Sequence, residues 1–214
     1  MPVANRHFRL TLAAAASLLL NACANVRGTD DGHAVPETVS ERAAAGVPEA
    51  PAQTQTYTRE EILNAGKTFF GGTTEGLAKA VERAFSELGE PVAYIEGEEG
   101  SGAFIAGLRY GQGYLVYKGG GRGPVFWQGP SIGFDFGGNA SKVFTLVYNL
   151  KRTDDLMQRF PGVEGSLYIV AGVGLNYQRS GDIVLAPIRT GVGLRAGANI
   201  GYVHYTREPS YVPF

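Results

Sequence analysis

Histidine and cysteine, on which most nucleophilic and metal chemistry depends, are nearly missing from this chain of 214 residues. His7 falls in the N-terminal signal segment and His33 in a polar linker, which leaves His204 as the one imidazole in the part expected to fold. A Ser-His-Asp triad would have to use it, near the end of the last expected strand and with no motif around it. A satisfied or exposed histidine is the simpler reading. Cys23 is a lone cysteine, so neither an intramolecular disulfide nor a cysteine-based zinc site is available. No metal and no cofactor is expected.

Asp135, within Ser131-Ile132-Gly133-Phe134-Asp135-Phe136-Gly137, is a carboxylate in an apolar strand and needs a partner if buried. Arg189 or Arg195 could supply one. A structural ion pair is the bland reading and a general acid the sharper one. Arg109, Arg189 and Arg195 are the cations suited to anionic envelope groups, since guanidinium pairs bidentately with the phosphates of phospholipid or lipopolysaccharide. Trp127, in Val125-Phe126-Trp127-Gln128-Gly129-Pro130, is read as core or rim packing, with stacking on a ligand as the alternative. The formal net charge of −1 lacks the basic footprint of a nucleic-acid binder.

Glycine-rich runs could also cradle phosphate, and two are present. Gly191-x-Gly193-x-x-Ala196 fits the dinucleotide fingerprint in letters. That fingerprint must turn from a strand into a helix, whereas strand alternation here continues straight through. Gly119-Gly120-Gly121-Arg122-Gly123 lacks the Lys-Ser/Thr of a phosphate loop and reads as a turn. In the last strand Gly191, Gly193, Arg195, Gly197, Asn199 and Gly201 share one face. A row of bare backbone answers either to sheet curvature and close approach of a neighbour, or to a groove for an elongated ligand.

The elements that must position these groups follow from composition. Charged residues are 18% of the chain and glycines number 31, a balance foreign to both disordered and helix-rich proteins. Arg6 and Arg9 precede an apolar run from Leu10 to Leu20, too short to span a bilayer but suited to a secretory signal over residues 1–22. Residues 23–56 lack apolar periodicity and read as a disordered tether. Thr58-Arg59-Glu60-Glu61 is a capping box opening a helix toward Lys67. A second helix begins after Thr73-Thr74 and ends at Gly89, with Leu77, Val81, Phe85 and Leu88 on its apolar face.

From Val92 the period becomes two. Strands are expected at Val92–Glu96, Ala103–Tyr110, Tyr114–Tyr117, Val125–Gln128, Ser131–Phe136, Val143–Leu150, Leu167–Gln178, Asp182–Ile188 and Val192–Tyr205. A short capped helix is expected over Thr153–Phe160. The fold class is mainly β (α+β): a small antiparallel β-barrel with N-terminal helices packed against it, over residues 57–214. Residues 57–99 are acidic on balance and 100–214 basic, so the helical part can complement the barrel electrostatically.

Three resemblances add to this reading. Leu20-Asn21-Ala22-Cys23 resembles the lipobox of bacterial lipoproteins, which implies acylation at Cys23; cleavage after Ala22-Cys23-Ala24 is the alternative. Ala24 in place of Asp favours the outer membrane, hence a periplasmic domain tethered there. The runs Phe126–Asn139, Val143–Leu150 and Ala186–Arg195 resemble the EipA family (envelope integrity protein A), over about residues 92–206. That resemblance implies a non-enzymatic periplasmic small barrel of Gram-negative bacteria that supports envelope integrity, with an envelope lipid, lipopolysaccharide or protein as partner. Trp127-Gln128-Gly129-Pro130-Ser131 is similar to the Trp-x-x-Pro-Ser core of the SYLF lipid-binding domain, which implies recognition of lipid head groups. A hydrolase using His204 or Asp135 is a further reading. An integral outer-membrane barrel is disfavoured because Pro209 and Pro213 interrupt the final segment and several strands fall short of a bilayer.

Overall fold

The computed structural model describes residues 55–72, 74–101, 108–130, 141–190 and 201–210. Cys23, Asp135, Gly191, Gly193, Arg195 and Gly197 lie outside these residues, as do the expected strand Ser131–Phe136 and most of Val192–Tyr205.

Two helices come first. Helix α1 (Arg59–Phe70) opens on the expected box: the Glu61 amide donates to Thr58 Oγ1 at 3.3 Å, and the Thr58 amide donates to Glu61 Oε2 at 3.0 Å. It runs one turn past Lys67 and stops at Gly71, whose φ of 82° is one that glycine adopts without the strain a Cβ would bring. Helix α2 (Glu75–Leu88) is capped by Thr74, whose hydroxyl accepts from the Leu77 amide at 3.1 Å. Its buried stripe is Leu77, Ala80, Val81 and Ala84, with Phe85 and Leu88 on the flank.

The strands are β1 (Ala93–Ser101), β2 (Leu108–Tyr117), β3 (Arg122–Pro130), β4 (Ser141–Tyr148), β5 (Arg159–Pro161), β6 (Tyr168–Val170), β7 (Val173–Leu175), β8 (Gln178–Ser180), β9 (Ile183–Thr190) and β10 (Tyr202–Thr206). All pairings are antiparallel, in the order β5-β10-β3-β2-β1-β4-β9-β7-β6, with β8 also on β9. The sheet curls until β5 meets β8. A bridge between Gly162 and Gln178 joins them, and the Val163 amide N–H donates to the Tyr177 carbonyl oxygen at 2.9 Å. Closure at this seam rests on a few bonds rather than a full ladder.

Period-two alternation sends side chains to two cores. Ile95, Leu115, Val125, Val143, Val147, Leu185, Val203 and Tyr205 fill the inside of the curl. Phe144, Leu146, Val184, Ala186 and Ile188 point outward from β4 and β9 and meet Ile62, Leu77, Val81 and Ala84 of the helices. Both faces of β4 and β9 are thus covered, and their sequences read as continuous apolar runs for that reason. Tyr94 stacks on Phe144 with ring centroids 4.9 Å apart beneath α1. Lys118, in the β2–β3 turn, pairs with Glu61 of α1 and so ties the helices to that turn.

Where local expectation and structure differ, the cause is tertiary. The strand expected to end at Glu96 continues to Ser101, and Tyr114–Tyr117 is the end of one longer strand, β2. Gly97, Gly111 and Gly113 do not break these strands, because each lies against a neighbour that leaves no room for a side chain. The segment Leu167–Gln178 is not one strand but β6 and β7, folded back at Ala171-Gly172 with φ of 46° and 77°, followed by the start of β8. Thr153–Phe160 is not a capped helix: a single 3₁₀ turn, Thr153–Leu156, gives way to β5. The Thr153 hydroxyl is hydrogen-bonded to the buried Tyr117 hydroxyl at 3.0 Å instead of capping.

The seat of α2 on the sheet yields a test. A Cβ at Gly76 would stand 2.6 Å from the Val170 carbonyl oxygen and 2.7 Å from Val173 Cγ2. Gly76→Ala is therefore expected to destabilise the domain by about 1–3 kcal/mol despite alanine's higher helix propensity. Urea denaturation checks it: a variant as stable as the parent, or more so, would mean that α2 does not dock there.

Candidate functional site

The inward face of β1 reads Ala93, Ile95, Gly97, Glu99, so the apolar interior gives way to a carboxylate at one end. Antiparallel register places Gly111 opposite Glu99, and Gly113 opposite Gly97. Two glycines facing inward from β2, with Gly97, leave a shallow bed for a flat ring. Trp127 from β3 lies in it: a Cβ at Gly111 would be 2.0 Å from the indole, and one at Gly97 would be 2.7 Å from it. The indole Nε1–H then reaches Glu99 and donates to Oε2 at 2.9 Å.

Arg189, from β9, comes to the same carboxylate from the other side. Its Nε lies 3.3 Å from Oε1 and its Nη2 3.4 Å from Oε2, a side-on fork, while Nη1 donates to Asn176 Oδ1 at 3.0 Å. Arg109 adds a looser contact, Nη1 to Oε1 at 3.9 Å, with its side chain 4% exposed. Burial alone would raise the Glu99 pKa. The two guanidiniums, with the bonds from Trp127 and Arg189, outweigh it and hold the carboxyl down to about 2. Tyr205 completes the group, its phenol pushed up to about 12 mainly by burial. Its ring lies 5.9 Å from that of Trp127.

Three of the residues singled out from sequence, Arg109, Trp127 and Arg189, are thus brought together, and Glu99 joins them. The arginines face inward and are engaged with a carboxylate rather than being presented outward. Glu99 escaped sequence reasoning because Glu98-Glu99-Gly100 resembles an acidic turn. Its alternation with Ala93, Ile95 and Gly97 was the available signal. Gly201 is a close-approach glycine, since a Cβ there would meet Pro130 Cγ at 2.9 Å. His204 points away from the cluster on β10. Burial and Arg159 lower its pKa, and its buried Nδ1 has no hydrogen-bond partner. Among the described residues no group of three or more His, Cys, Asp or Glu converges as metal ligands would.

The outer face of β1, β2, β3 and β10 carries a second feature. The helices pack on β4, β6, β7 and β9, away from this face. Register lines up Glu98, Gln112, Phe126 and Thr206 across the four strands. They border an open cleft of about 230 Å³, together with Tyr110, Trp127 and Pro209. Glu98 and Gln112 are exposed at its rim and Phe126 is buried at its floor. The cleft and the charged cluster share the wall formed by Gly111 and Trp127.

Comparison with known proteins agrees with this architecture. A crystal structure of a beta-barrel-like, uncharacterized protein from Brucella abortus matches with 54% identity and a TM-score of 0.69, covering 74% of this chain and 99% of that one. None of the curated proteins compared with the chain matches it. No helix among the described residues is long and apolar enough to cross a membrane. The family model for EipA, Envelope integrity protein A, matches residues 55–214, the whole of the helices and curled sheet described above, and the chain belongs to that family, whose description points to the cell envelope.

Proposed function

We propose that the protein is a non-enzymatic component of the periplasm, held at the outer membrane through an acylated Cys23, that supports envelope integrity by binding an envelope component or partner protein. The observation that carries this reading is the division of labour between the two faces of the sheet. The strongest candidate reaction centre, Glu99 with Arg109 and Arg189, is closed on itself inside the barrel. A carboxyl held at about 2 is neither a proton donor nor an effective base near neutral pH. The outer cleft is open and offers aromatic and polar groups, as binding sites do.

Recognition of phospholipid or lipopolysaccharide head groups in the manner of the SYLF domain is the second reading. It draws on Trp127 lining the cleft. An approach through Arg189 has less support, because that guanidinium is occupied by Glu99 and Asn176.

Cells lacking the protein are expected to survive detergent and cell-wall antibiotics less well than the parent, and to be rescued by the wild-type chain. Cys23→Ser is expected to release the protein from the membrane fraction, with intact mass of the mature N-terminus reporting the acyl chains. Equal survival with and without the protein would remove the envelope role; an unmodified N-terminus would remove the anchor alone.

A further inference from the structure

We propose that the outer cleft is a binding site for a small organic ammonium group, a quaternary or primary amine carried by a lipid head group or by a free metabolite. This rests on the reading of the cleft as a binding site and names the chemistry of its ligand.

Charge points there first. Among the described residues lining the cleft, Glu98 is the charged one, and no Lys or Arg joins it. Neighbouring cations are engaged elsewhere: Lys142, across from Glu98 on β4, donates to the Phe69 carbonyl oxygen at 2.8 Å, Arg122 donates to Glu96 at 2.8 Å, and Arg207 pairs with Asp154. An anionic ligand would meet Glu98 without a compensating cation, whereas an ammonium would be attracted by it.

Ring chemistry points the same way. Tyr110 and Phe126 face the cleft, while Trp127 borders it with its indole turned to the inner side of the sheet. Aromatic faces carry negative potential, and aromatic residues around a cation are the common means of holding an ammonium that has no N–H to donate. The same face already uses this contact internally. One row along the strands, the Arg122 guanidinium sits 4.0 Å from the centroid of Tyr114.

Size narrows the class. A cleft of about 230 Å³ is below the roughly 300–1,000 Å³ of sites for drug-sized ligands. It accommodates a head group such as trimethylammonium and leaves an extended chain in solvent. Gln112 and Thr206 at the border supply polar contacts for whatever the ammonium is attached to.

Trp127 is the only tryptophan in the chain and lies at the cleft wall, so its fluorescence reports occupancy. The mature protein is titrated with choline chloride and tetramethylammonium chloride against sodium chloride at matched ionic strength, with melting temperature as a second readout. A saturable change with the ammonium salts and not with sodium is expected, with Kd near 1 mM for the free head group. Glu98→Gln and Tyr110→Ala, each folded by circular dichroism, are expected to weaken it about tenfold. Flotation with phosphatidylcholine but not phosphatidylglycerol vesicles would identify a lipid source; choline binding without flotation would identify a free amine. Absence of a saturable ammonium response would overturn the proposal. So would an unchanged response in Glu98→Gln, or saturation by inorganic phosphate or a neutral sugar in its place. If ammonium fails yet Glu98→Gln or Tyr110→Ala cells become detergent-sensitive, the cleft still serves the envelope and only the ligand class falls. If the variants lose choline but survive like the parent, the site stands and its envelope role falls.

Discussion

Glu99→Leu is expected to destabilise the domain by about 3–5 kcal/mol, the cost of leaving buried guanidiniums without their carboxylate. Arg189 loses both arms of its fork, and the Trp127 indole N–H loses its acceptor. Adding Arg189→Met to Glu99→Leu is expected to recover a large part of the loss, since a buried ion pair replaced by apolar groups is often close to neutral. Acid adds an independent reading of the same contact. The folded-state pKa of Glu99, about 2, lies below the ordinary 4.5, so its contribution is complete above about pH 4.5 and is withdrawn as the pH falls toward 2. That difference corresponds to something on the order of 3 kcal/mol, which the parent should lose over this interval and Glu99→Leu should not. Urea midpoints at pH 7 and at pH 3 decide it. Parallel pH profiles for parent and variant would mean that the carboxylate does not hold the cluster together.

Gly111→Ala carries the other large effect. The added methyl would fall 2.0 Å from Trp127 Cε2 and 2.3 Å from its Nε1, distances at which the ring must move. The indole has little freedom, because Gly97 lies under its far edge and Glu99 holds its nitrogen. A loss of about 1–3 kcal/mol or more is expected, with a shift in tryptophan emission as the ring leaves its buried bed. Trimming the ring should relieve it: in the background of Trp127→Leu, Gly111→Ala is expected to cost much less. Such non-additivity is the signature of direct contact. Additive losses in the double variant would show that Gly111 is bare for another reason. Gly97→Ala should be worse tolerated than Gly111→Ala even without the indole, since its methyl would also stand 2.3 Å from the Gln112 carbonyl oxygen.

Local patterns carried much of the architecture. The Thr58–Glu61 box, the Thr74 cap and the stop at Gly89 are read from neighbours a few residues apart, and both helices form where those signals stand. The change to a period of two at Val92 announces an antiparallel sheet, and β4 and β9 fall close to the expected Val143–Leu150 and Asp182–Ile188. Bare backbone answers to close approach at Gly97, Gly111, Gly113 and Gly129, and at Gly201 in the expected last-strand row, the rest of which lies outside the described residues. Lengths were harder. The expected strands stop short at Glu96 and between Tyr110 and Tyr114, where Gly97, Gly111 and Gly113 lie, and only the indole and the facing strand show why a side chain is not tolerated there.

Composition, capping and periodicity by themselves determined that the described residues make two helices and a curled antiparallel sheet with few groups suited to catalysis, because those properties depend on residues within a turn or two of each other. Which charged groups meet was decided by tertiary structure alone. Glu99 and Arg189 stand 90 positions apart and come together only through the registers of β1 on β4 and of β4 on β9. A shift of one residue in either register would turn one of them to the opposite face, so no property of either residue's own neighbourhood could foretell the pair.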